Sequence, residues 1–197
     1  MSIKNLNPRF SILMLFILAA GVLRVLNGGQ LTPFSNITPI GAMALFGGAY
    51  FSDKWKSYIL PLLTLFVSDV LMMELFYKEH MQGLLYSGWI WTYLSFAAMV
   101  LVGQLIIRKV NATNVLVAAV AAVVAHWIIA DIGPFLYGID ITTGQPFPKN
   151  AAGLAKCLAL AIPYMKNMLI GNLVYSILFF GGFELVQRSY PAAAAHS

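Results

Sequence analysis

The side chains able to do chemistry in this 197-residue chain are few, and most sit in apolar surroundings: Arg24, Asp69, Glu74, His126, Asp131 and Lys166. A charge in such a setting is costly and faces a cavity or a partner. Asp131 follows Trp127 by four residues, so on a helix the carboxylate and the indole share one face, an aromatic wall with a polar handle. Asp69 lies seven residues before the end of its apolar run. That is about 10 Å at 1.5 Å per residue, too deep for a short side chain to reach water. Asp69 therefore needs a partner: Arg24 or Lys166 in a purely structural pair, or a ligand. Arg24, Glu74 and Lys166 are close enough to helix ends to snorkel. His126 reads as a hydrogen-bonding core residue rather than a metal ligand. Trp89, Trp91 and Tyr93 read either as an interfacial aromatic belt or as further lining of a site.

Catalytic patterns are missing. The sequence has no Gly-x-x-x-x-Gly-Lys phosphate loop, no HExxH, no Cys/His metal spacing and no Ser-His-Asp set in plausible context, so an enzyme is not expected and no cofactor is implied. The lone Cys157 cannot form an intramolecular disulfide. His80, in the string Lys78-Glu79-His80-Met81, has an imidazole suited to a borderline transition metal, although a loop histidine is ordinarily just solvated.

The elements that must position these residues are membrane spans. Hydrophobic residues make up 60% of the chain and charged ones 10%, against roughly 25% in an ordinary soluble domain, which excludes a soluble globule and a disordered chain. Net charge is +5, but the 12 Lys and Arg are scattered, so they set topology rather than bind nucleic acid. Lys4 and Arg9 precede an apolar stretch as in a signal peptide. Arg24 and the lack of a small-residue cleavage site favour a retained first helix instead.

Apolar runs predict one all-α membrane domain over residues 1–197, with six spans at 10–26, 38–51, 58–76, 84–107, 114–137 and 164–186. The second rises only about 21 Å, short of a bilayer core, and must be tilted or shielded by its neighbours. Residues 151–162 are apolar but bear Lys156 and stop at Pro163, so they are expected to lie at the interface or to cap the bundle. The connection 138–164, with its string TTGQPFPKN, is then long and reads as a lid or binding loop. Lys4, Arg9, Lys54, Lys56, Arg108, Lys109 and Arg188 fall on one side and Arg24, Lys78, Lys149, Lys156 and Lys166 on the other, which puts both termini in the cytoplasm. Small residues one turn apart (Ala118/Ala122, Ala121/Ala125, Ala44/Gly48) allow close helix approach within the bundle or against a partner.

With this orientation the buried ionisable groups all lie between the membrane middle and the outer edge, and the cytoplasmic half has none away from its boundary. That asymmetry predicts a polar pocket open to the outside rather than a path across the bilayer. Its expected residues are Asn36, Thr38, Asp69, Trp89, Trp127, Asp131 and Asn167.

The strings NITPIGAMALFGGAYF (36–51), PLLTLFVSD (61–69), GLAKCLALAIP (153–163), Asn167 and GNLVY (171–175) resemble a family of small bacterial membrane proteins of unassigned function. That family is similar to the substrate-binding S components of energy-coupling-factor vitamin transporters, including the solitary cobalamin type. The resemblance implies six helices, cytoplasmic termini and capture of a vitamin or metal ion from outside, and it brings His80 into view as a ligand for a cobalt corrinoid. S components that dock on a shared energising module commonly carry a small-x-x-x-small pair in the first helix, whereas here Ala19 and Ala20 meet Leu23 and Arg24. The expected function is therefore a substrate-binding transport protein for a small micronutrient, with a bilayer and an energising membrane protein as partners. The rival expectation is a structural or assembly protein whose buried charges only pair with one another.

Overall fold

The structure, a computed structural model, describes residues 8–27, 37–79 and 83–189. Its helices are α1 (Pro8–Asn27), α2 (Ile40–Tyr50), α3 (Lys54–Met72, extended by a π-helical turn at Met73–Tyr77), α4 (Trp89–Ile106), α5 (Ala112–Ala130), α6 (Ile132–Tyr137) and α7 (Ala151–Ser189). A small antiparallel hairpin, β1 (Ile139–Asp140) and β2 (Gln145–Pro146), joins α6 to α7. Four stretches are long and apolar enough to cross a membrane: Lys54–Tyr77, Trp89–Ile106, Ala112–Tyr137 and Ala151–Ser189. Apolar side chains such as Leu18, Leu63, Leu105, Leu116 and Ile177 point outward from them and from α1, as lipid requires. The chain is an all-α membrane protein.

Side-chain and backbone contacts fix the relative directions of the helices. Gly21 meets Thr64 and Arg24 meets Ser68, so α1 and α3 run parallel. Tyr93 bonds Asp69 while Gln104 bonds Ser57, so α4 runs against α3. Trp127 bonds the Leu158 carbonyl and Asn172 bonds that of Ala119, so α7 runs against α5.

Helix α2 is the axis of the packing. It has 11 residues, rises only about 16 Å, and ten of its residues are buried. Apolar all round, it meets protein on every side, which explains how so short a helix survives at membrane depth. Its packing against α4 is reciprocal: a Cβ on Gly48 would strike the Val100 carbonyl, and one on Gly103 would stand 2.7 Å from the Leu45 carbonyl. At its far end Phe46 contacts Phe16, Tyr50, Phe179, Phe180 and Phe183 with ring centroids 4.8 to 6.0 Å away.

Two expectations are corrected and a third is refined. Residues 151–162 are not a separate interfacial segment: α7 is one 39-residue helix that runs through Pro163. Proline removes one backbone bond, to the Ala159 carbonyl, and the helix formers Leu158-Ala-Leu-Ala-Ile162 before it hold the conformation. The connection between the spans thereby shrinks to 138–150, most of it ordered in the hairpin and its turn. The predicted span 114–137 corresponds to the single apolar stretch Ala112–Tyr137, with a local break in its helix at Asp131, where the Pro134 ring crowds the Ala130 carbonyl and Gly133 beside it offers little resistance. Finally, residues 84–88 lie before α4 rather than within it.

Candidate functional site

The parallel and antiparallel pairings bring the ends of α1 and α3, the start of α4, the junction of α5 with α6 and the first turns of α7 to one end of the bundle. Two polar clusters stand there, on opposite faces of the first turns of α4. Because side chains two apart on a helix diverge by about 200°, Tyr93 points to α3 while Trp91 packs against Gly133 of α6.

In the first cluster Arg24 donates to Asp69 Oδ1 at 2.5 Å and to Ser68 Oγ at 2.8 Å. Tyr93 donates to the second oxygen, Oδ2, at 2.9 Å, and Asp69 is buried. Trp89, half exposed, meets Tyr93 edge-on at 5.3 Å. Tyr86, in the connection before α4, lies within the field of the pair. Burial pushes its phenol up, Asp69 adds to that, and the Thr92 hydrogen bond and Arg24 act in the opposite direction. Arg24, not Lys166, is thus the partner that Asp69 requires; Lys166 is exposed. Glu74 is exposed too and pairs with Lys78 one turn on.

The second cluster surrounds Asp131. This residue is half-buried at the α5–α6 junction, and its carboxylate has neither ion-pair nor hydrogen-bond partner among the described residues. Its backbone carbonyl accepts from Cys157 Sγ at 3.7 Å. Trp127 Nε1 donates to the Leu158 carbonyl at 3.1 Å. The hairpin stands over this region, because Asp140 is buried against α7 and ion-paired to Lys156, whose amine also reaches Thr142 Oγ1 at 2.8 Å. That Lys156 contact, helped by Thr142, holds the Asp140 carboxyl well below the usual carboxylate range. Lys149 bonds the Phe135 carbonyl and lies over its ring.

The remaining expected residues are placed as follows. Thr38 stands against Gly171, and Asn167 is one turn before Gly171 on α7, so these two form a third, smaller grouping. Asn36 and His80 lie outside the described residues. His126 does not behave as a hydrogen-bonding core residue: its Nε2 is buried without a partner among the described residues, and its ring packs against Phe96 at 4.8 Å. Among the described residues no three His, Cys, Asp or Glu side chains gather as for a metal ion.

The opposite end holds more than the sequence suggested. Tyr50 donates to Glu184 at 2.6 Å beside the aromatic cluster, and α7 continues to Ser189, so Glu184 is an ionisable group more than a turn inside its helix. Sequence reasoning missed Tyr86 and Ser68 at the site end. Tyr93 stood out only as belt or lining, with nothing in the sequence to show that it bonds Asp69.

A family model described as a family of unknown function, DUF6580, matches residues 4–193. The chain belongs to this family. No curated protein and no solved structure matches it.

Proposed function

We propose that the protein is a substrate-binding membrane transport protein, similar to S components, that captures a small vitamin-like micronutrient, cobalamin among the candidates, from the extracytoplasmic side. In this reading α1, α2, α3, α4, α5–α6 and α7 make six crossings of a bacterial cytoplasmic membrane, with both termini inside, and an energising membrane partner drives release. The alternating helix directions support six crossings. One observation carries the binding role: the Asp131 carboxylate, one turn after Trp127 at the end of the bundle where the other polar groups gather, is half-buried and lacks a protein partner among the described residues, whereas an acid in such a place ordinarily has one. Thr38, Asn167, Trp89 and Asn36 are the further contacts proposed. Asp69 serves the site indirectly, and His80 is a metal ligand only if the cargo is a cobalt corrinoid.

Thermal unfolding of the purified protein with a panel of vitamins, cobalamin included, tests this. A ligand at one hundred times its Kd stabilises by about 2.7 kcal/mol. The expected result is one stabilising compound, its effect lost in Asp131→Asn while the ligand-free melting temperature is unchanged. Stabilisation by none would favour the second reading, a structural or assembly protein. That reading has its own support in the closed Arg24–Asp69–Tyr93 set, in which both carboxylate oxygens are already satisfied.

A further inference from the structure

The segment that leads from the end of α6 into the hairpin is patterned inside out. Tyr137, Ile139 and Ile141 are large and apolar and are 83%, 60% and 85% exposed, while the acid between the two isoleucines, Asp140, is 2% exposed. On a water-facing surface the arrangement is the reverse, with the apolar side chains turned to the protein and the acid to solvent. The orientation here is held by specific bonds. Asp140 is ion-paired to Lys156 on α7 and accepts from Thr142 N at 2.9 Å and Thr142 Oγ1 at 2.7 Å. Its carbonyl accepts from Gly144 N at 2.8 Å, closing a turn in which Gly144 has φ +69°. Phe147, buried, fixes the returning chain. Turning the isoleucines inward would break the ion pair.

We propose that this hairpin is a membrane-surface anchor whose Tyr137–Ile139–Ile141 face lies in the boundary between headgroups and acyl chains of the bilayer that the helices cross. Tyr137 is the last residue of the apolar stretch Ala112–Tyr137, so the hairpin starts at the depth where that stretch leaves the hydrocarbon. Outward-facing Ile128 and Leu136 lead up to it, which makes the isoleucine face continuous with the lipid-facing side of α5–α6. Tyrosine with neighbouring apolar residues is the composition that settles at this boundary. Asp140 is the only acid in residues 132–156, and Lys156 neutralises it, so no unpaired negative charge opposes lipid phosphates. The anchor would hold the α6–α7 junction at a fixed depth.

The test uses the full chain with Cys157→Ser, reconstituted in nanodiscs of phosphatidylethanolamine and phosphatidylglycerol, and a bimane fluorophore on Ile141→Cys. Thr143→Cys on the polar turn and Leu116→Cys on the outer face of α5 are the water and lipid controls, all at exposed positions. Lipids brominated high on the acyl chain should quench the label at 141 several-fold more than at 143 and about as much as at 116. Quenching at 141 by aqueous iodide, as at 143, would overturn the proposal. Protection from both quenchers would also overturn it, since that outcome means that a protein, a second copy or a partner, covers the face.

Discussion

Arg24 of α1 stands 2.5 Å from Asp69 of α3, and the acid's other oxygen is taken by Tyr93 of α4, so one buried carboxylate ties three helices together. The guanidinium side chain is 13% exposed and the carboxylate 1%. Removing one member strands the other. We expect Arg24→Ala to destabilise by about 3–5 kcal/mol, while Arg24→Met combined with Asp69→Leu recovers most of the loss, because desolvating a pair offsets much of its attraction. Unfolding in detergent measures both. A double variant as unstable as Arg24→Ala would show that the pair itself, not the stranded charge, sets the cost.

Gly48 and Gly103 each face backbone of the other's helix, which cannot rotate aside as a side chain can. A methyl on Gly48 would meet the Val100 carbonyl and stand 3.1 Å from Gln104 N. Gly48→Ala and Gly103→Ala are expected to cost about 1–3 kcal/mol each through overpacking. Gly181→Ala, whose Cβ would meet nothing within 4 Å, is the control and should be neutral or gain up to about 1 kcal/mol from helix propensity. Equal melting temperatures for all three would refute the reciprocal contact.

What the sequence disclosed follows from periodicity and from the cost of buried charge. Asp69 had to have a partner, and the 38–51 segment was too short to cross unaided, so that tilt and shielding both stayed open, because hydrocarbon tolerates neither a lone carboxylate nor a bare short helix. Which cation would pair was not legible, since Arg24 and Lys166 differ only in the rotation of their helices, a tertiary property. The same holds for Asp140 and Lys156, 16 residues apart, and for Tyr93, whose direction depends on how α4 is turned. Pro163 misled because a missing backbone donor marks an end in water, whereas in α7 packing along α5 and α6 maintains the helix across it. The four-residue spacing of Trp127 and Asp131 was legible, whereas the break in the helix at Asp131 depends on Pro134, three residues on.

Trp127 stitches α5 to α7 beside that proline of α7. Its indole bonds Leu158, next to the Ala159 carbonyl that Pro163 leaves without a helical donor. Trp127→Phe keeps an aromatic ring and removes the donor, so about 0.5–1.5 kcal/mol should be lost. Pro163→Ala restores the local backbone bond, and in that background Trp127→Phe should cost less. A double-mutant cycle measures the difference, and strictly additive effects would mean that the indole does not support the proline region.

The latch between Asp140 and Lys156 carries a pH signature. Because Lys156 holds the Asp140 carboxyl well below the usual range, the folded hairpin keeps its charge where the unfolded chain, with a value of about 3.9, takes up a proton. The contribution to stability is therefore fully present above that value and is lost as pH falls below it towards the folded value. Hydrogen exchange over 139–146, corrected for intrinsic rates, should show level protection from about pH 5 to 8 and a decline only below about pH 4. Lys156→Gln should lower protection throughout that range and move the decline upward, since Asp140 then regains an ordinary value. Protection that falls between about pH 5 and 7 in the unsubstituted protein would assign control of the hairpin to another titrating group and remove the Asp140 latch from the account.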